Sequence, residues 1–151
     1  MAALTLLSFV LRVYHLNGQS LWYDEGFSVY LAQMSWGEMT ARTAADIQPP
    51  IYYYLLHAWM LALGRSEFAV RLFSVAFGVL AIPLSYHLAR RLLTPGVGLL
   101  VALLLAVSPF HVWYAQEARM YTLVTLLGLL SSWLVLKLVS GPARPALWAA
   151  F

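Results

Sequence analysis

FAVRLFSVAFGVLAIPLSYHLA, residues 68–89, is long and apolar enough to cross a lipid bilayer. A membrane helix needs about 20 predominantly apolar residues, and Arg90-Arg91 closes this run with positive charge. Inside the run, Ser74 and Gly78 form a small-xxx-small pair, a spacing that lets a second helix approach closely. The run therefore predicts a transmembrane helix that packs against neighbouring helices.

The composition places the whole chain in the membrane class. Of its 151 residues, 62% are hydrophobic and 10% are charged, and the mean hydropathy is +0.76. Soluble domains are roughly 45–50% apolar and about 25% charged. The absence of cysteine excludes disulfides, thiolate metal sites and cysteine nucleophiles. The net charge of +3 comes without a basic cluster beyond Arg90-Arg91, so no nucleic-acid partner is expected.

Three further apolar runs predict additional spans, at residues 1–16, 97–114 and 120–138. Ser108-Pro109 is expected to break the last turns of the run 97–114, because proline cannot continue a helix. The first run is short for a span. We therefore expect its true start to have been cut away. Residues 146–151 look like the start of a further span, so residues 1–151 are expected to be part of one longer transmembrane domain.

Residues 17–67 form the longest polar stretch and predict short helices rather than spans. Apolar residues recur at three- and four-residue steps over 21–34, which indicates an amphipathic helix on the membrane surface. A second, weaker helix is predicted over 38–45. The apolar run 51–63 has 13 residues, a length typical of interfacial or re-entrant helices.

His57 and the three consecutive tyrosines of the run 51–63 each have two possible roles. His57 is more often a packed histidine bonded to a neighbour than a ligand or a base, although imidazole serves as both. The three tyrosines are expected to anchor the helix at the membrane interface rather than to stack on a sugar; they are Tyr52, Tyr53 and Tyr54.

Alternation of the four predicted spans separates the charges. All acids fall on one face, in the segments 17–67 and 115–119; they are Asp24, Glu25, Glu38, Asp46, Glu67 and Glu117. The other face has none and carries Arg90, Arg91, Lys137 and Arg144. Short basic loops mark the cytoplasmic side, so the acids are expected to face outward. Several arginines accompany the acids there, which favours a polar site over a simple topology signal.

Asp24 and Glu25 are adjacent carboxylates among aromatics, in the stretch Leu21-Trp22-Tyr23-Asp24-Glu25-Gly26-Phe27-Ser28. An acid close to lipid is costly and is a functional candidate for that reason. The alternative is that both acids merely begin an exposed helix capped by Ser20, where negative charge suits the helix dipole. The stretch alone favours neither interpretation.

Four short motifs in order give the chain a resemblance to a known family. They are Leu21-Trp22-Tyr23-Asp24-Glu25, Asp46-x-Gln48-Pro49-Pro50-Ile51-Tyr52-Tyr53, Gly64-x-Ser66-Glu67-Phe68-Ala69-x-Arg71, and Ser108-Pro109 with Tyr114-x-Gln116-Glu117-Ala118-Arg119-Met120-Tyr121. This order resembles the N-terminal part of the dolichyl-phosphate-mannose-protein mannosyltransferase-like family, membrane glycosyltransferases of the GT-C type. The resemblance implies an all-α, polytopic transmembrane helix bundle with amphipathic juxtamembrane helices in its first outer loop.

The resemblance also implies roles for individual residues. Asp24 matches the family's catalytic acid and is the candidate base. Glu25, on a different helix face, is expected to orient it or to contact the acceptor. Glu117 and Arg119 are expected to contact donor sugar and phosphate, although an ion pair between them is an equally good explanation. The remaining expected substrate contacts are Asp46, Gln48 and Tyr121, with Gln48 standing where the family more often has histidine. Glu67 and Arg71, four residues apart, are expected to form a structural pair.

The implied activity is transfer of a hexose, mannose or a related sugar, from a polyprenyl-phosphate donor to an acceptor, with inversion. The acceptor would be a protein, lipid or glycan, and the metal requirement is open, a divalent cation being one option. The expected location is the cell (inner) membrane, with the active site facing outward. Two alternatives compete, a polytopic membrane transporter and a non-catalytic membrane subunit in which the acids only cap helices.

Overall fold

The computed structural model describes residues 1–46 and 48–140, and in that part of the chain every regular element is a helix. The helices are α1 (Ala2–Val13), α2 (Tyr23–Leu31), α3 (Trp36–Ala44), α4 (Ile51–Leu63), α5 (Glu67–Leu92), α6 (Pro95–Val107), α7 (Pro109–Ala115) and α8 (Tyr121–Ser140). The all-α helix bundle predicted from the sequence is confirmed. The predicted loop that carries Arg144 lies outside the described residues.

Two helices are long and apolar enough to cross a membrane, α5 and α8. Helices α6 and α7 are together long and apolar enough to cross, so they form a third span if the pair is counted as one. The two helices are bent by 57° at Ser108. The predicted break at Ser108-Pro109 is therefore confirmed: Ser108 is extended and caps α7 by accepting a hydrogen bond from the His111 amide. These three elements lie close to the predicted runs 68–89, 97–114 and 120–138.

The first predicted span ends earlier than expected. Helix α1 has 12 residues and belongs with the shorter apolar helices. Tyr14 leaves the helical region, and His15 has φ 55°, a left-handed conformation that non-glycine residues seldom adopt. The chain therefore turns away after Val13, and Leu16 is buried in the loop that follows.

Helix α5 is the centre of the bundle, with α1, α4, α6, α7 and α8 packed around it. Gly78 lies where α1, α7 and α8 all come close to α5. A Cβ atom placed there would lie 3.1 Å from the Cβ of Ala115 and 3.3 Å from both Arg12 Nε and Thr122 Cγ2. The close contact expected from the Ser74 and Gly78 pair is confirmed, because a side chain at position 78 would push against all three neighbours.

The polar stretch folds into three short helices. The predicted helix over 21–34 is shorter, α2, and the weak helix over 38–45 is α3. Ser35 caps α3: its Oγ accepts from the Glu38 amide, and Glu38 Oε2 accepts from the Ser35 amide at 3.0 Å. Helix α4 follows Pro50 and ends at Gly64, whose φ of 86° suits glycine.

Tyrosines of α4 form part of the core beneath these helices. Tyr52 and Tyr53 are each 1% exposed, so the prediction that they anchor the helix at the membrane interface is wrong. Tyr54 is half-buried and bonds the Thr40 hydroxyl at 2.6 Å. His57 Nδ1 lies 2.8 Å from the Ala32 carbonyl, which confirms the prediction of a packed histidine bonded to a neighbour.

Candidate active site

Glu25 forms a buried ion pair with Arg71 of α5. Arg71 Nη2 donates to Glu25 Oε2 at 2.7 Å, and Arg71 Nε donates to Oε1 at 2.8 Å, so the contact is bidentate. The prediction that Arg71 pairs with Glu67 is wrong, since the acid that binds this guanidinium is Glu25. The two partners are 46 residues apart in sequence, which places α2 firmly against the central helix.

Both carboxylate oxygens of Glu25 are fully used. Oε1 also accepts from the Ala118 amide at 2.9 Å, and Oε2 from the Trp22 amide at 3.3 Å. Arg71 in turn donates to the backbone carbonyls of the loop after α1, those of Leu16 at 2.9 Å, Gln19 at 2.7 Å and Ser20 at 3.2 Å. Glu25 therefore links α2, α5 and the segment after α7, and it has no lone pair left for a substrate proton.

Asp24 differs from its neighbour in burial and in bonding. Its side chain is 37% exposed, and its carboxylate contacts one cation loosely, with Arg119 Nη2 lying 3.9 Å from Oδ2. Arg119 Nη1 also donates to the Asp24 carbonyl at 3.4 Å. The structure thus brings Asp24 and Arg119 together across 95 residues of sequence, and it leaves the Asp24 carboxylate accessible.

Arg119 is held in place by its backbone rather than by its guanidinium. Ser74 of α5 donates to the Arg119 carbonyl at 3.1 Å, and Tyr52 donates to Ser74 at 3.1 Å. The guanidinium lies 5.9 Å from the ring of Tyr121, within cation–π range. Arg119 Nε is buried and has no hydrogen-bond partner among the described residues. A buried arginine with an unused donor is suited to binding an anion.

Glu117, two residues before Arg119, faces a cavity that Asp24 and Arg119 do not line. Its Oε1 accepts from the Trp113 indole at 3.0 Å, whereas its Oε2 is buried without a partner in the described part of the chain. Burial raises the pKa of Glu117; the Trp113 hydrogen bond opposes the rise, and the charge of Glu25 adds to it. The cavity has a volume of about 640 Å³, and its lining includes Trp22, Glu25, Arg71, Trp113, Gln116 and Glu117.

Tyr53 is a member of the site that the sequence did not single out for this role. Its hydroxyl donates to Gln48 Oε1. Burial raises the pKa of Tyr53, the charge of Arg119 opposes the rise, and those of Asp46 and Asp24 add to it. The charges of Arg119, Asp46 and Asp24 thus each act on the Tyr53 hydroxyl. The Pro49-Pro50 turn directs α4 inward at this point, and position 53 in the second motif was the available signal.

The expected substrate contacts divide into two groups. Asp24, Arg119 and Tyr121 meet on one side, with Gln48 joined to them through Tyr53. Glu25 and Glu117 line the cavity on the other. Asp46 and Gln48 also line a smaller cavity of about 390 Å³ with Thr40 and Thr43.

Residues 1–46 and 48–140 contain no group of three or more His, Asp or Glu side chains placed to hold a metal ion. The described side chains thus do not form a cation cage by themselves.

Comparison with known protein families gives a match over residues 47–150, to the family described as dolichyl-phosphate-mannose-protein mannosyltransferase. The matched part contains Arg71, Glu117 and Arg119, whereas Asp24 and Glu25 precede it. No significant match is found among curated proteins or among solved structures. The family match covers well over half of the chain and agrees with the helical membrane architecture, and the protein therefore belongs to this family of membrane glycosyltransferases of the GT-C type.

Proposed function

We propose that the protein transfers a hexose from a polyprenyl-phosphate donor to an acceptor hydroxyl or amide, with inversion at the anomeric carbon. The observation that carries this proposal is the contact of Asp24 with Arg119. It places an accessible carboxylate beside a buried cation that has unused donors. Such a pair supplies the two groups that the reaction needs, a base for the acceptor and a positive charge for the phosphate.

Asp24 is the better of the two adjacent carboxylates to act as the base. A lipid phosphate is a weakly basic leaving group, so the reaction needs no general acid, but the acceptor must lose its proton. Glu25 already accepts hydrogen bonds on both oxygens and pairs with Arg71. Asp24 is half-open to solvent and holds one loose ion pair. Its carboxylate can therefore reach an incoming hydroxyl, in keeping with the geometric requirement for a general base.

Arg119 is placed to hold the phosphate of the donor. A guanidinium binds phosphate through two parallel N–H bonds, and the Arg119 side chain keeps Nε free for such a contact. Its backbone is fixed to Ser74, so the cation is positioned before the substrate arrives. Tyr121 covers one face of the guanidinium, which limits competition from water.

The inverting geometry requires the donor sugar to lie between these two groups. In an inverting displacement the base serves the acceptor on the face of the sugar opposite the leaving group, which keeps the two functional groups apart. The separation of 3.9 Å between Arg119 Nη2 and Asp24 Oδ2 is too short for a sugar. We infer that donor binding breaks this ion pair and replaces it with an ion pair between Arg119 and phosphate.

The cavity of about 640 Å³, which neither Asp24 nor Arg119 lines, is the proposed site for the acceptor. Its volume lies within the range of small-molecule sites, roughly 300–1,000 Å³. Trp22 and Trp113 provide apolar ring surface, and Gln116 and Glu117 provide polar atoms that can bond hydroxyl groups. A glycan acceptor presents both kinds of surface. The distribution of acids and basic loops along the sequence favours the extracytoplasmic side of the cell membrane for this cavity.

The test is transfer of a labelled hexose from a polyprenyl-phosphate donor by the full-length protein. Asp24→Asn keeps the shape of the side chain and removes the proton acceptor, so the rate is expected to fall by about 10²–10⁴-fold. Glu38→Gln is the matched control, because Glu38 is an exposed acid of the same loop and glutamine can also complete the cap of α3. Wild-type transfer by Asp24→Asn would exclude Asp24 as the base. Absence of transfer by the wild-type protein from any such donor would overturn the proposed function.

A further inference from the structure

Arg12 is a fully buried cation in α1 that the reaction above does not use. Its side chain is 0% exposed. Nη1 donates to the Ser8 carbonyl at 3.1 Å, to Ser8 Oγ at 2.7 Å and to the Ala106 carbonyl at 3.0 Å. Nη2 donates to the Leu105 carbonyl at 3.2 Å and contacts His111 Nδ1 at 2.7 Å. A single side chain of α1 thus bonds to the end of α6 and to α7.

The two carbonyls of α6 that Arg12 binds, those of Leu105 and Ala106, are ones that the helix break leaves without a partner. In a continuous helix the Leu105 carbonyl would accept from residue 109, but Pro109 has no N–H. The Ala106 carbonyl belongs to the last turn of α6, whose carbonyls have no partner within the helix. The negative end of the α6 dipole also favours a cation there. These groups stabilise Arg12, which pairs with no carboxylate in the described part of the chain.

Hydrogen bonds between α1 and the bend run in both directions. Gln116, just after α7, donates to the Arg12 carbonyl at 3.2 Å and to the Tyr14 carbonyl at 2.8 Å, at the end of α1. His111 Nδ1 must accept, since arginine can only donate. Gly78 leaves the space in which the Arg12 side chain lies. The bend between α6 and α7 is therefore held from both of its sides by α1.

We propose that Arg12 is a positioning residue: it fixes the bend between α6 and α7 and so places the segment Gln116–Arg119. This segment follows α7 directly, and its Ala118 amide must meet Glu25 for Arg119 to lie beside Asp24. The catalytic consequence rests on the proposed function, whereas the fixed bend does not. A displacement of about 1 Å at a reacting group can lower a rate by about 10²-fold.

The bend is measured directly with spin labels. Residues 1–151 contain no cysteine, so a background free of native cysteines can be used to attach labels at Leu100 on α6 and Phe110 on α7, which are both exposed. In the full-length protein, Arg12→Lys keeps the charge but cannot reach all of the carbonyls. We expect a longer and broader distance between the labels, together with sugar transfer lowered about 10²-fold. Arg65→Lys, at an exposed arginine, is the matched control and is expected to change neither.

Unchanged label distances in Arg12→Lys would overturn the proposal, even with reduced transfer, because the residue would then act in another way. If Arg12→Lys does not fold, the comparison is made with His111→Ala, which removes the α7 atom that Arg12 contacts and leaves Pro109 in place. This variant is expected to lengthen and broaden the label distance, and a distance equal to that of the wild type would overturn the proposal. A changed distance in a protein without any transfer activity would support the bend and refute the proposed function alone.

Discussion

Replacing Asp24 or Glu25 by its amide is expected to have opposite effects. Glu25→Gln should lower mainly the stability of the fold, and Asp24→Asn should lower mainly the rate of transfer. Glu25→Gln replaces a carboxylate that accepts four hydrogen bonds, two of them from Arg71. The amide keeps one acceptor oxygen, and its NH₂ group faces donors that it cannot satisfy. Arg71 remains charged and buried without an acid. Breaking a buried pair by removing one partner costs about 3–5 kcal/mol of folding free energy.

Asp24→Asn removes much less from the folded state. The Asp24 ion pair spans 3.9 Å and involves a side chain that is 37% exposed, and exposed pairs contribute about 0–1 kcal/mol. The two variants should therefore differ in unfolding free energy by at least about 2 kcal/mol. The order of their effects on the chemical step, measured per folded molecule, should be the reverse, since Asp24 is the proposed base.

The assay is equilibrium unfolding of the full-length protein in mixed detergent micelles, followed by hexose transfer on the fraction that remains folded. Glu38→Gln provides the reference for an acid-to-amide change on the surface. An unfolding free energy for Glu25→Gln within about 1 kcal/mol of the wild type would refute the structural role of the pair. It would also reopen Glu25 as a candidate base.

Three other predictions follow from single contacts. Glu117→Gln should stabilise the fold at pH 7 and have little effect at pH 4. Burial raises the pKa of Glu117, so the stability of the wild type falls as pH rises from the ordinary glutamate pKa, about 4.3, to the folded value. The glutamine variant does not titrate and avoids this loss. Pairwise unfolding measurements at the two pH values check this, and a larger gain at pH 4 would contradict it. Gly78→Val should cost about 1–3 kcal/mol through overpacking against Ala115, whereas Gly128→Val, on α8 with open space around it, should not; equal unfolding free energies for the two variants would contradict this. Arg119→Lys should weaken binding of the polyprenyl-phosphate donor by about 1.5–3 kcal/mol because the two-pronged contact with phosphate is lost, and unchanged donor affinity would remove the phosphate-binding role.

The spans and the break in α6–α7 could be predicted because their causes are local. A bilayer sets the length of an apolar run, and proline lacks the N–H that a helix needs, so both signals are readable from neighbouring residues. The close approach at Gly78 was predicted on the same grounds, from residue size at helical spacing. The early end of α1 was not, because His15 takes a left-handed conformation that non-glycine residues seldom adopt.

The partners of the charged residues could not be read from sequence. The i, i+4 rule pointed from Arg71 to Glu67, but the acid that satisfies this arginine lies 46 residues away on α2. Tyr52 and Tyr53 resembled interfacial tyrosines because a buried and a lipid-facing aromatic look alike in a short apolar helix. Family resemblance singled out Asp24 and Arg119, whereas physical reasoning from the sequence alone could not place them side by side.

The segment Gln116–Arg119 combines a fixed backbone with unsatisfied side chains. Gln116 bonds α1, the Ala118 amide bonds Glu25 and the Arg119 carbonyl bonds Ser74, so three different elements hold four consecutive residues. Yet Glu117 Oε2 and Arg119 Nε are buried without a partner among the described residues. A buried polar atom without a hydrogen bond is costly, and a fold that fixes the backbone around two such atoms gains nothing in stability from them. Under the proposed function, the donor phosphate would bind Arg119 and the acceptor would bind Glu117, which is the arrangement expected of a preorganised site.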